Sequence, residues 1–385
     1  MSKALRLFQL SLCTIGYLFA TVNTAIAQVT SDGTVNTQVN QNGNVAEITG
    51  GETRGSNLFH SFQDFSVNTG NEAFFNNADS ISNIFSRVTG GNISNIDGAI
   101  RANGSASLFL INPAGILFGE NARLDIGGSF YGSTADSISF EDGEFSAVDN
   151  LQQPILTVNA PIGLNFRDNP GDIVNRAADG LGLQVSLSKN IGLFGGKIIF
   201  EEGKIFAPEG NLFLVGISKA TQIIGIDFEN LSSSNTIVFE NIASENISFA
   251  QNSVISANNV FVRADSFFLE SSTISAKAAK LNNSFSGGGS ILLEINEDLT
   301  MKNNSLIMAS AFNSVNGGFI GIEARFIVGF PNQNNDIVAS ADLGFGGIVD
   351  VAADRIFGFQ FRSSQPPNQT NDLDVSGEFA TDAIK

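Results

Sequence analysis

The chain has 385 residues, 42% hydrophobic and only 15% charged, with 40 Gly, 34 Phe, no Trp, one His, one Cys and a formal net charge of −18. A pI near 4.3 argues against nucleic acid as a partner, because phosphate backbones are bound by Lys and Arg that displace counterions, and it disfavours anionic lipid surfaces for the same reason. Asn is about as common as Gly and Ala- or Leu-rich helical stretches are hard to find, so the composition predicts an all-β chain with a large core.

At the N-terminus, Lys3 and Arg6 precede an apolar run from Leu7 to Ala20, and Ala25-Ile26-Ala27 puts small residues at the −3 and −1 positions of a cleavage site before Gln28. The run is too short to cross about 30 Å of hydrocarbon, and no stop-transfer charges follow. Residues 1–27 therefore read as a secretory signal peptide. Its removal would take Lys3, Arg6 and Cys13, leaving 18 basic against 38 acidic side chains and no cysteine. An exported chain without disulfides must be held by burial and backbone pairing. No later apolar stretch approaches 18 residues, so direct membrane insertion is not expected.

Two registers of repetition follow. The first places Ile100, Leu108, Ile116 and Leu124 at intervals of eight, each with an apolar residue two positions on (Ala102, Leu110, Phe118, Ile126). An apolar pair at i and i+2 shares one face of a short strand, so each interval is a strand plus a bend, and three of them make a coil of roughly 24 residues. The second register repeats Gly288-Gly289, Gly317-Gly318 and Gly346-Gly347 every 29 residues, each pair leading into an alternating strand. Ser253-Val-Ile-Ser-Ala257, Ser272-Thr-Ile-Ser-Ala276, Ser305-Leu-Ile-Met-Ala309 and Asn335-Asp-Ile-Val-Ala339 form a companion pattern.

These features predict a right-handed single-stranded parallel β-helix, with small, β-branched and Phe side chains inward, Asn ladders at the corners and Gly at the tight bends. At about 4.8 Å per coil the chain would form a rod on the order of 14 coils and 65–70 Å long. A β-sandwich is the alternative. Asn42-Gly43, Asp97-Gly98 and Asn103-Gly104 are its candidate hairpin turns, but they do not alternate regularly with paired strands.

The segment from Leu58 to Phe140 resembles the N-terminal secretion domain of filamentous-haemagglutinin-like exoproteins, in wording closest to the cyanobacterial-type subgroup. The resemblance rests on Leu58-Phe-His-Ser-Phe-Gln-Asp-Phe-Ser-Val67, Ile84-Phe-Ser-Arg-Val-Thr-Gly-Gly91, Ser94-Asn-Ile-Asp-Gly98, Ala106-Ser-Leu-Phe-Leu-Ile-Asn-Pro-Ala-Gly-Ile-Leu-Phe-Gly119 and Ile126-Gly-Gly-Ser-Phe130. It implies export by two-partner secretion. A signal peptide (1–27) would be followed by a β-helical secretion domain (28–165) that the periplasmic recognition domains of an outer-membrane barrel transporter read. A β-helical passenger (166–385) would then be delivered to the cell surface or the medium as an adhesin, with a cell-surface glycan or protein as its target. The family's Asn-Pro-Asn-Gly-Ile motif maps onto Asn112, Pro113, Gly115 and Ile116, with Ala114 a departure. Where the subgroup shows an earlier Asn-Pro, this chain has Asn77-Ala78.

Pro113 fixes φ and Gly115 permits a positive φ, so the motif is a sharp turn between two apolar strands. That turn chemistry serves equally a corner needed to fold the first coils and a surface the transporter reads directly. Enzymatic readings lack parts. His60, the one His, sits between apolar residues and reads as a structural hydrogen-bonding group. The runs Glu141-Asp142-Gly-Glu144 and Glu201-Glu202 could serve a secreted polysaccharide hydrolase or lyase, but adjacent carboxylates on a strand point to opposite faces. No cofactor or metal is expected. Asn371-Asp-Leu-Asp-Val375 echoes Asn335–Ala339 as the start of a further coil, so the passenger reads as short or truncated at Lys385.

Overall fold

A computed structural model describes residues 29–149, 156–220, 224–226, 237–238, 242–277, 288–309, 311, 316–341, 345–362 and 370–376. The expected signal peptide, with Cys13, lies outside the described residues. All regular structure among them is β-strand; no described helix is long and apolar enough to cross a membrane.

The strands stack into three parallel columns around one coiling chain. The first column runs through Asn57–Asp64, Asn83–Val88, Ser107–Ile111, Phe130–Ser133 and Ile191–Gly195, then residues 212–216, 259–264, 290–295, 319–324 and 348–353. The second runs through Ser94–Ile96, Ile116–Phe118, Ile173–Asn175, Ile198–Glu201, Ile247–Ala250, Phe267–Glu270 and Asp298–Lys302, then residues 326–329 and 355–357. The third begins with Val45–Gly50, Glu72–Phe75, Ala99–Ala102 and Arg123–Asp125 and resumes in the later coils, ending with Leu306–Ala309, Asp336–Val338 and Asp372–Asp374. This is a single-stranded parallel β-helix. The coil is right-handed, the hand that nearly all parallel crossovers take because strand twist feeds it.

Period-two alternation decides what faces inward. Leu58, Ile84, Leu108, Phe130, Ile191 and Leu212 share one register of the first column, and all are buried. The predicted eight-residue spacing is this geometry: Ile100, Leu108 and Ile116 start the inward faces of three consecutive strands of one coil.

Corners are tied from rung to rung by side chains. Asn211 Nδ2 donates to Asn190 Oδ1 (3.1 Å), Asn259 Nδ2 to Asn211 Oδ1 (2.8 Å), and Ser290 Oγ to Asn259 Oδ1 (2.8 Å). A second line joins the companion pattern: Ser272 N to Ser305 Oγ, Ser305 N to Asn335 Oδ1, and Asn335 N to Asn371 Oδ1. The Gly pairs stack at one corner, where a Cβ on Gly318 would lie 2.2 Å from the Gly289 carbonyl oxygen. No side chain fits between those rungs.

Three expectations change. The first column holds ten strands among the described residues, about 43 Å of shaft at 4.8 Å per rung, fewer than the length divided by 24 suggests. The difference is residues that leave the shaft: Ser137–Phe140, Gly143–Ser146, Pro161–Asn165, Ile224–Ile226 and Ile237–Val238 form a separate antiparallel sheet. Nor do all Phe point inward. Phe59, Phe85, Phe109 and Tyr131 form an outward ladder in one register, with ring centroids 5.1, 4.8 and 4.7 Å apart. Ile138, Phe140, Phe145, Leu164 and Phe166 cover that ladder as a second apolar core. Finally, Asn42-Gly43 does close an antiparallel hairpin, Thr37–Asn42 against Val45–Gly50, at the N-terminal end of the coil.

Candidate functional site

The corner carrying Asn112, Pro113, Gly115 and Ile116 joins Ser107–Ile111 of the first column to Ile116–Phe118 of the second. Asn112 is completely buried. Its Nδ2 donates to Asn92 O and to Ser94 Oγ, both at 2.9 Å, and its Oδ1 accepts from Ala114 N at 3.0 Å. Its backbone N–H donates to Ser133 O on the next rung, and its carbonyl accepts from Gly115 N. One side chain thus closes its own turn and pins the preceding corner. An Asn fits because a short amide can donate twice and accept once in this arrangement.

Gly115 has φ +127°, a backbone state that L side chains rarely adopt. Gly171 of the following coil packs onto it: its N–H donates to Pro113 O, and Ile116 N donates to Asp172 O. Ile116 points inward and is buried. Of the motif, Pro113 and the departing residue Ala114 are half-buried, and the exposed Ile93 lies close to Gly115. The structure therefore brings the four motif residues together as one corner whose Asn faces the interior.

Asn77, where the earlier Asn-Pro would stand, makes a similar corner. Its Nδ2 donates to Ala78 O and Asn103 O, and its Oδ1 accepts from Asn103 N at 2.9 Å. The Pro is absent here, but the side-chain tie to the next rung is made.

His60 is buried, with Nδ1 3.1 Å from Thr37 Oγ1 and its ring beside Phe62 and Phe75. Burial pushes its pKa down to about 4, so the ring is neutral at pH 7. Thr37 Oγ1 also accepts from Ser61 N, so one hydroxyl meets both the His60 ring and the backbone beside it. Glu144 accepts from Ser137, and Glu201 pairs with Arg176. Among the described residues, no group of three His, Cys, Asp or Glu is placed to hold a metal ion.

The sequence reading missed one cluster. Arg87 is fully buried, yet its Nε donates to Ser61 Oγ and one terminal nitrogen to Thr34 Oγ1, both at 2.8 Å. The other terminal nitrogen donates to Ser146 O of the covering sheet, and the guanidinium lies 4.6 Å from the Phe145 ring centroid. Asp32 stands behind Ser61 and accepts from Ser61 Oγ, Thr89 Oγ1 and both Thr34 donors. Burial alone would raise the Asp32 carboxyl, but those bonds together hold it below its ordinary value. Burial lowers Arg87, and the Asp32 charge offsets part of that. The cluster ties the N-terminal segment, the first two coils and the covering sheet together. Its one sequence signal is an Arg within the alternating strand Ile84-Phe85-Ser86-Arg87-Val88.

The fold, a parallel β-helix, and the family comparison together give the class of a two-partner-secreted, adhesin-like exoprotein. The family description "TPS secretion domain" matches residues 27–266, and the chain belongs to that family. Among solved structures, the HMW1 secretion domain from Haemophilus influenzae is similar in fold, with a TM-score of 0.58 and 21% identity over 91% of this chain and 83% of that one. The filamentous hemagglutinin secretion domain matches with a TM-score of 0.35 and 12% identity, over 90% of this chain and 99% of that one. No curated protein matches. Membership implies an outer-membrane transporter as partner and an extracellular or cell-surface destination, in a family that is in general non-enzymatic.

Proposed function

We propose that residues 1–27 are a cleaved signal peptide, that the coils of residues 28–165 are the part the transporter's periplasmic domains recognise, and that residues 166–385 form a passenger. The passenger binds a cell-surface glycan or protein and catalyses nothing. The shaft itself runs on through residue 165 without a break, Ile116–Phe118 pairing with Ile173–Asn175, so the division is one of role. Asn112, Pro113, Gly115 and Ile116 act in secretion by closing the first coils, and the transporter reads the surface that this closure presents. The observation that carries this is the complete burial of Asn112, with its amide spent on Asn92, Ser94 and Ala114.

The test is export in a Gram-negative host with and without the transporter, measured as protein in the medium or accessible to external protease. Transporter-dependent export is expected. Asn112→Ala leaves buried polar groups without partners, which costs about 1–3 kcal/mol, and should lower the melting temperature of the purified protein together with export. Substitution of the half-buried Ala114 by Ser should leave stability unchanged. If Asn112→Ala abolishes export at unchanged stability, the closure role is wrong and direct reading of the motif replaces it. Export indifferent to the transporter removes the proposal altogether.

A further inference from the structure

In the later coils of the third column, stacking order and chain order agree from residues 204–207 through 254–257, Thr273–Ala276 and Leu306–Ala309 to Asp336–Val338. At the end they part. Asp372–Asp374 pairs with Asp336–Val338 on one side and with Gln360–Arg362 on the other, so a later strand lies between two earlier ones. Seated there, it places the fully buried Leu373 in register between Ile337 and Phe361. Asp372 N donates to Asn335 O at 3.2 Å and Ala339 N to Asp374 O at 2.8 Å, which bonds the seam.

Charge opposes this placement. Asp336 stands directly beside Asp372, and Asp374 follows two residues on, so three carboxylates share this end with one guanidinium, that of Arg362. Asp372 is only 3% exposed; it accepts from Arg362 Nη1 at 2.8 Å and from Thr370 Oγ1 at 3.2 Å. Asp336 is half-buried, and its two oxygens accept from Asp372 N at 3.1 Å and Asn334 Nδ2 at 3.0 Å. The preceding strand, Leu306–Ala309, brings no charge to it. Asn334 Oδ1 is buried without a partner, so the corner is short of a donor. A proton on Asp336 removes one of the three negative charges and adds a donor.

We propose that Asp372–Asp374 is a proton-gated strand, seated firmly between its neighbours in acid and loosened at neutral pH. Burial pushes the seated Asp336 carboxyl up to about 6; the Asp372 N–H restrains that rise and the Asp372 charge adds to it. When the strand withdraws, Asp336 loses that burial and both neighbouring carboxylates, and returns toward the ordinary 3.8. The seated state therefore binds the proton more tightly, and lowering the pH from 7.5 to 5 should favour seating about tenfold. Withdrawal bares the edge of Asp336–Val338 and the Ile337 side chain. The end of the third column is thus a closed rung in acid and an open edge at neutral pH.

Hydrogen exchange of the full chain at pH 5 and 7.5, each corrected for intrinsic exchange, reads the seam through the amides of Asp372 and Ala339. Their protection should be about tenfold greater at pH 5, while that of Thr273 and Leu306, bonded on earlier rungs, stays level. Asp336→Asn keeps an acceptor for Asp372 N and abolishes the charge, so its seam should be equally protected at the two pH values. Asp374→Asn should shrink the response without abolishing it, and reads the same charge coupling if the first variant folds poorly. Equal protection of the parent seam at both pH values overturns the proposal. So does a response that persists undiminished in either variant, or one that Thr273 and Leu306 share.

Discussion

At the level of single residues, the early coils are governed by polar groups that the interior has made dependent on one another. Asn112, His60, Arg87 and Asp32 are each satisfied by neighbours on a different rung or segment. A buried polar group left unpaired costs more than its bond contributes when made, so such residues specify which coil sits on which. His60 gives this a pH signature. Its folded pKa of about 4 lies below the ordinary 6.5, so the unfolded chain takes up the proton first. The contribution is intact above pH 6.5, is lost as pH falls toward 4, and does not change further below; two and a half units correspond to roughly 3 kcal/mol. Asp336 has the opposite sign: burial first, with the Asp372 and Asp374 charges, pushes its carboxyl up to about 6, so its folded form gains as pH falls through that value. Urea midpoints at pH 7 and 4.5 should therefore converge in His60→Gln relative to the parent chain. His60 was legible as a structural residue because it stands alone among apolar neighbours. The Arg87 cluster was not, because its partners Thr34 and Ser146 are 53 and 59 residues away in sequence.

At the level of elements, alternation announced the shaft strands, and Ile100, Leu108 and Ile116 mark them because each must put an apolar side chain on the inward face. The same alternation says nothing about what lies outside. Phe59, Phe85, Phe109 and Tyr131 sit on the outward phase of strands whose inward phase is also apolar, and only the antiparallel sheet over them explains it. The covering sheet itself, Ser137–Phe140 with Gly143–Ser146, reads as one more hairpin until its target is known. Phe85 touches both layers: its centroid lies 5.1 Å from Phe59, 4.8 Å from Phe109 and 5.2 Å from Phe140. Phe85→Ala should cost about 3–5 kcal/mol. Because the loss falls at the seam, limited proteolysis should cleave first near Glu141–Asp142 in the variant and not within the shaft. Equal protection of that hairpin in both proteins would show that the sheet is held by something other than the ladder.

For the whole molecule, each rung touches only its neighbours, so stability is close to a sum of rung and interface contributions. Ile291→Ala removes a fully buried side chain that stacks between Val260 and Ile320 and should cost about 2–5 kcal/mol. Hydrogen exchange should show the lost protection confined to those rungs, with Leu58 and Ile84 unaffected; a loss spread evenly along the shaft would mean that the coils open as one unit. The spacing between rungs also sets a clock. Leu108 pairs with Phe130 after 22 residues, but Phe130 waits 61 residues for Ile191. Closing the longer loop costs only about 0.9 kcal/mol more in chain entropy, so equilibrium barely registers it. A chain emerging from its N-terminus registers it as time. Having stacked its first coils, it must deliver the whole hairpin of the covering sheet before another rung of this column can land. The aromatic ladder of those first coils can thus be roofed while the chain behind it is still in transit, and the early coils become a finished anchorage before the later ones begin.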